Sequence, residues 1–242
     1  MKKGIETGVI TPERLHDALV RILALKASLG MHKDSSPLTL ENAQKAIGLP
    51  EYKAWAAESA DRSVTLVKEE KGVLPLSAAK TPRVLLYPIE ASDEMAFFRA
   101  PSKTESFKAL LEKEGFQVDV FQTNTAGFEG LQHPVCEMLD NYDLFIYLSN
   151  LATKSNQTTV RIEWAQPMGA NVPQLIQQIP TIFISIANPY HLLDVPRVKT
   201  FINCYEASDS VIAALTDKLM GRSAFCGISP VDAFCGRWDT RL

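Results

Sequence analysis

The sequence has no excess of positive charge: 25 lysines and arginines stand against 28 aspartates and glutamates, a net charge of −3. A chain so balanced has no field with which to hold a phosphate backbone, so no nucleic-acid partner is expected. No apolar run approaches the length of a membrane span, and no membrane partner is expected either. Phosphate-cradling loops are missing, since neither GxGxxG nor GxxxxGK[ST] occurs, and a nucleotide binder of flavodoxin-like fold has only fold analogy behind it. The four cysteines, Cys136, Cys204, Cys226 and Cys235, include no CxxC pair. Inert thiols are the simplest reading, with a Cys226–Cys235 bridge left open for an oxidising setting. His16, His32, His133 and His191 are scattered without HExxH spacing, so neither a metal nor another cofactor is expected. Met1-Lys-Lys-Gly4 is followed by Gly8, Thr11, Glu13 and Arg14, where a signal peptide needs an apolar run. The expectation for the chain as it stands is a cytoplasmic location.

What is present is a core-forming chain. Apolar residues make up 46% of its 242 positions, enough for one large domain or for a domain with an attached piece. Thr11, Pro12 and Glu13 open a helix whose stripe is Leu15, Ala18, Leu19, Ile22, Leu25 and Leu29, with Gly30 as its stop. A shorter helix is expected from about Leu40 to Ile47. The stretch from Ala56 to Leu76 then changes period. Tyr52, Trp55, Ala56, Ser59, Ala60 and Ser63 lie on one helical face, whereas Val64 to Val67 reads as a buried strand. Such a joint separates an approach, residues 1–50, from a domain, residues 51–242.

Beyond Arg83, strands and helices alternate. Strands are expected over Val84–Tyr87 (closed by Pro88), Gln117–Phe121, Leu144–Leu148, Thr181–Ile186 and Lys199–Cys204. Helices are expected after a Ser102–Glu105 capping box, over Gly130–Leu139, over Pro173–Gln178, and from Ser208 to Leu219. This alternation implies an α/β fold: a three-layer αβα sandwich around a mainly parallel sheet of about six strands. Ligands of such sheets sit outside the carboxyl ends of the strands, here Pro88 onward, Ser149 onward and Ala187 to Tyr190. The long irregular section from Ser149 to Val172 is of the kind that serves function or an interface.

Several stretches resemble one family. Pro12-Glu-Arg-Leu-His-Asp-Ala-Leu-Val-Arg-Ile-Leu-Ala-Leu-Lys26 resembles the last barrel helix of family 3 glycoside hydrolases. Ala57-Glu-Ser-Ala-Asp-Arg-Ser-Val-Thr-Leu-Val-Lys68, with Gly72 and Leu74-Pro75-Leu76, resembles the segment by which that family enters its second domain. Ile186-Ala-Asn-Pro-Tyr190 is similar to its turn after a central strand, where glycine often stands at position 187. Gly221, Phe225, Gly227 and Pro230-Val231 resemble its closing segment. The resemblance implies that the substrate and the nucleophilic Asp belong to a (β/α)8 barrel preceding this domain. The first helix would then be left over from that barrel. β-Glucosidase-like members take an acid/base Glu from the second domain, ahead of an Asp-Arg pair. The matching stretch here reads Thr158-Thr-Val-Arg161-Ile-Glu163-Trp164, without that pattern. This departure resembles the β-N-acetylhexosaminidase branch, whose acid/base His lies on a barrel loop.

No catalytic residue is therefore assigned within the chain. Four positions are the candidates for substrate proximity: Arg161, Glu163, Trp164 and Asn171. Each has a plainer alternative, since Glu163 beside Arg161 fits a surface ion pair and Trp164 fits an aromatic anchor against the barrel. The resemblance implies a non-catalytic C-terminal domain of an enzyme cleaving terminal β-linked sugars such as N-acetylhexosamine, inactive alone. Its partners would be the barrel domain of the same polypeptide and the carbohydrate substrate. A free-standing carbohydrate-binding or protein-interaction module of αβα fold is the competing expectation.

Overall fold

The computed structural model describes residues 1–33, 39–70, 72–90, 102–122, 135–153, 161–162, 164, 169, 171–234 and 236. Two compact units result, Met1–Pro50 and Glu51–Leu242.

The first unit holds α1 (Lys2–Glu6), α2 (Pro12–Ser28) and α3 (Leu40–Ala46). The ends of α2 are set by local chemistry. Thr11 Oγ1 accepts from the Arg14 N–H at 3.2 Å, and Pro12 fills the first turn, where no amide donor is needed. At the other end Gly30 takes φ +70°. Its N–H reaches Ala27 O and the Met31 N–H reaches Lys26 O, which satisfies two terminal carbonyls. No residue of α2 is buried, and Leu19, Ile22, Leu25 and Leu29 of its apolar stripe are exposed.

Helix α4 spans Pro50–Ser63, all but its first residue in the second unit, and only its Ala60 is buried. Six strands follow: β1 (Thr65–Glu69), β2 (Arg83–Glu90), β3 (Gln117–Val120), β4 (Leu144–Asn150), β5 (Thr181–Ser185) and β6 (Thr200–Asn203). They form one sheet in the order β1-β6-β5-β4-β2-β3, parallel except for β1, which runs antiparallel to β6. The helices are α5 (Thr104–Lys113), α6 (Val135–Asn141) and α7 (Asp209–Leu219). The expected three-layer α/β architecture is thus present.

Side-chain alternation divides the core by chemistry. Val84, Leu86, Leu144, Ile146, Leu148, Ile182, Ile184 and Ile202 point to one face and pack against Phe107 and Leu111 of α5 and Val211, Ile212, Leu215 and Leu219 of α7. The opposite face is aromatic. Rings of Phe121, Tyr87, Tyr147, Phe183 and Phe201 follow one another across the sheet, with centroids 4.6, 4.4, 5.9 and 5.4 Å apart. Large rings at paired cross-strand positions fill the 4.7–4.9 Å strand spacing more completely than branched aliphatics. This aromatic face is covered by Met138 of α6, by Ile162, Ile176 and Ile179, and by Leu192 in a 3-10 turn at His191–Leu193.

Four local expectations are corrected. Pro88 does not close β2, which continues to Glu90. Leu86 O accepts from the Phe121 N–H, so even-numbered backbone groups of β2 face β3, whose pairing stops at Leu86–Val120. The missing donor of Pro88 therefore falls where no neighbour needs it. The Ser102–Glu105 capping box does not form. Lys103 is the N-cap of α5, and the Ser102 hydroxyl donates to Glu90 at the end of β2. Pro173–Gln178 is not a helix: residues 173–175 are irregular and 176–178 form a turn. The strand expected over Val64–Val67 starts at Thr65, with Leu66 and Val67 only half-buried because β1 is an edge. Residues 130–134 of the expected Gly130–Leu139 helix lie outside the described residues.

Candidate functional site

Chain order reverses between β2 and β4, and their last residues, Glu90 and Asn150, stand side by side in register. This is the switch point at which doubly wound sheets bind ligands. Next to it lies a buried polar knot that joins the carboxyl ends of β4 and β5 to the following turn. His191 Nδ1 is 2.9 Å from Ser185 Oγ and 3.2 Å from Ser149 Oγ, and all three residues are inaccessible to solvent. The Ser185 hydroxyl donates to Asn188 O at 2.5 Å. With its proton committed there, Ser185 accepts from His191, so Nδ1 carries the ring proton. Neither serine is thereby activated as a nucleophile, because the nearby nitrogen is a donor and not a base. Asn188 Oδ1 accepts from the Tyr190 N–H at 2.9 Å, and Asn203 Nδ2 donates to Pro189 O at 3.3 Å. The knot fixes the 188–190 turn.

Arg161 Nη2 pairs with Asp194 Oδ1 at 2.6 Å. The Ile162 N–H donates to the same carboxylate, and burial nevertheless pushes the Asp194 carboxyl above its usual range, outweighing the pull of Arg161. Asp194 Oδ2 is enclosed and has no hydrogen-bond partner among the described residues, an arrangement that costs on the order of 1–3 kcal/mol. Trp164 is half-buried against the aromatic core of its own domain. Its ring walls a groove of about 180 Å³, lined also by Val172, Ile176, Asp194, Arg197 and Val198. Asn171, next to Val172, is 7% exposed, and its Oδ1 has no hydrogen-bond partner among the described residues. Glu163 lies outside the described residues.

Arg161 thus pairs with Asp194, which lines the same groove as Trp164, and Asn171 precedes the groove-lining Val172 in the chain. Sequence reasoning missed Asp194, Arg197 and the serine–histidine knot. Arg161 and Asp194 are 33 positions apart in the chain, and no local pattern marks such a pair. Among the described residues no group of three or more His, Cys, Asp or Glu side chains is placed to hold a metal ion. No helix of the described residues is long and apolar enough to cross a membrane. Cys136, Cys204 and Cys226 are free thiols, and burial pushes that of Cys204 up to about 12, while Cys235 lies outside the described residues.

No protein-family model matches the chain. A beta-N-acetylglucosaminidase/beta-glucosidase of Cellulomonas fimi is 48% identical over 243 residues, which cover 100% of this chain and 43% of the relative. The solved structure of a beta-glucoside phosphorylase, BglX, has a TM-score of 0.78 at 40% identity, covering 99% of this chain and 42% of that one. A family 3 beta-N-acetylglucosaminidase from Paenibacillus sp. str. FPU-7 shares the fold, with a TM-score of 0.58 at 22% identity over 93% of this chain and 40% of that one. The chain thus spans less than half the length of these relatives. It belongs to glycoside hydrolase family 3 and corresponds to a C-terminal region of the family's members.

Proposed function

We propose that the chain is the non-catalytic C-terminal domain of a longer enzyme that acts on terminal β-linked glucosides or N-acetylglucosaminides. The observation that carries this reading is the match of the whole chain, at 48% identity, to 43% of a protein named for those two activities. In this reading the nucleophile and the acid/base belong to a (β/α)8 barrel of the same polypeptide. Cleavage by the usual route needs two groups flanking one bond. The groove's described lining holds a single carboxylate, Asp194, already engaged by Arg161. Helix α2 is then the last helix of that barrel, and its exposed Leu19, Ile22, Leu25 and Leu29 are covered there. Arg161, Glu163, Trp164 and Asn171 stand near the substrate only by way of the loop that carries them.

The acceptor of the glycosyl group is water in one named relative's activity and phosphate in the other's. One experiment tests the domain assignment and separates the acceptors. The chain is fused to the N-terminal region of the Cellulomonas fimi relative in place of that protein's own C-terminal region. Release of aryl alcohol from an aryl β-glucoside and an aryl N-acetyl-β-glucosaminide is then followed with and without inorganic phosphate. Turnover of either substrate supports the assignment, and phosphate dependence identifies the acceptor. A folded fusion inert toward both would sink it.

A further inference from the structure

We infer that residues 223–234 form a strap across the start of β1 that seats and releases as one unit, and so locks the junction of α4 and β1. Residues 224–229 carry no regular secondary structure. The burial of the segment nevertheless alternates without a break. Ser223, Phe225, Gly227, Ser229 and Val231 are half-buried, whereas Ala224, Cys226, Ile228, Pro230 and Asp232 are exposed. A period of two is the mark of an extended chain that lies with one side against a surface.

The strap begins on one face of the sheet and ends on the other. Phe225 packs against the aliphatic face, with the Lys218 ammonium 5.7 Å from its ring centre. Ala233 and Phe234 are buried in the aromatic face. The chain between these anchors passes the edge strand at its first residues. Gly227 sits so close to Ser63, Val64 and Thr65 that a Cβ would lie 2.5 Å from Thr65 Oγ1. Strand β1 ends the sheet, with β6 on its inner side, and natural sheets shield such edges with a covering segment.

Both ends of the strap are fastened. At its root, Lys218 Nζ donates to Ala224 O and Ser223 Oγ donates to Asp61 Oδ1, each at 2.6 Å. At its far end Asp232 Oδ1 accepts from the Phe234 N–H at 2.9 Å, a turn that brings the chain back toward the core. Residues 224–229 have no ladder of their own, so a half-released strap keeps little that would hold it in place. Opening therefore frees Ser63, Val64 and Thr65 together with both aromatic anchors. The inference rests on the second unit alone and is independent of the reaction proposed above.

The test is limited trypsin digestion of the whole chain, with cleavage after Arg222, at the root of the strap, followed by mass spectrometry. Cleavage after Arg83, in the interior strand β2, reports opening of the whole domain. Phe234→Ala removes an anchor on the face opposite Phe225, yet it should speed cleavage after Arg222 by about tenfold or more, without an equal rise after Arg83. Phe225→Ala should do the same. Phe234→Leu keeps most of the ring's volume and carries the same test, with a smaller rise, where the alanine variant does not fold. Ile228→Ser, at a residue 90% exposed, should change neither rate. In the folded Phe234 variant, an unchanged rate after Arg222 would show that the two anchors act separately. An equal rise after Arg83 would show that the whole domain opens and not the strap. Either result would overturn the inference.

Discussion

Lys218 Nζ lies 3.1 Å from Asp61 Oδ1, joining α7 to the end of α4. The Lys218 side chain is wholly buried, whereas that of Asp61 is 42% exposed. The ammonium also donates to Ala224 O at 2.6 Å and to Ser223 Oγ at 3.2 Å, so its three protons are all placed. Ser223 in turn donates to Asp61 at 2.6 Å. That bond first, and then Lys218, holds the Asp61 carboxyl below its usual range. Arg62, adjacent to Asp61 in sequence, bonds to Glu58 instead.

The unequal burial makes the two substitutions unequal. Asp61→Asn leaves a buried cation among neutral partners and should cost about 2–3 kcal/mol. Lys218→Met keeps the apolar stem and leaves a carboxylate that water can reach, so about 1–2 kcal/mol is expected. Adding Lys218→Met to Asp61→Asn should restore stability. Urea denaturation of the three variants measures this, and additive losses would contradict the coupling.

Gly227 is a second tie between the closing segment and the start of the domain. A Cβ there would lie 2.5 Å from Thr65 Oγ1, 2.9 Å from Ser63 O and 3.0 Å from Val64 O. Two of those atoms are backbone and cannot swing aside. Gly227→Ala should cost about 2–3 kcal/mol, measurable as a lowered urea midpoint with an unchanged slope. A neutral result would mean that the closing segment does not seat on β1.

The aromatic face should respond sharply to truncation. Phe183 is fully buried between the rings of Tyr147 and Phe201. Phe183→Ala should cost about 3–5 kcal/mol and Phe183→Leu markedly less, because leucine refills most of the space. Thermal unfolding of both variants tests the ranking.

Acidification should act through Arg83 and Asp143. Arg83 Nη2 is 2.6 Å from Asp143 Oδ1, and the Arg83 Nε and backbone N–H both donate to Oδ2 at 3.0 Å. These bonds hold the Asp143 carboxyl below its usual range. A folded pKa below the unfolded one gives stability that is present above about pH 4 and lost as pH falls through the folded value. Asp194, raised by burial, has the opposite sign: its contribution falls as pH rises through its raised value. Asp143→Asn should thus lose less stability than the parent between about pH 5 and pH 2. Equal losses would show that the pair contributes nothing.

The sequence made the covered strands plain because burial on both faces leaves continuous apolar runs, as in Leu144–Leu148 and Thr181–Ile186. The caps of α2 and α7 were equally legible, since Thr11 and Ser208 act on amides three residues away. What stayed hidden depends on distant partners. Whether Pro88 ends a strand turns on where β3 stops, and the antiparallel edge of β1 turns on β6. Ser102 does not form the expected box: its hydroxyl donates to Glu90, and its oxygen accepts from the Thr104 N–H two residues on. In the candidate site Trp164 stood out by type, but Asp194 gains its meaning only from Arg161, and His191 from two serines on separate strands.

The most direct measurement is an assay of the 242-residue chain for aryl alcohol release from an aryl N-acetyl-β-glucosaminide and an aryl β-glucoside, with and without phosphate. No release above buffer is expected, because the nucleophile and the acid/base are assigned to the barrel. Turnover at an enzyme-like rate, about 1 s⁻¹ or faster, would contradict that assignment and place a complete catalytic pair within this chain.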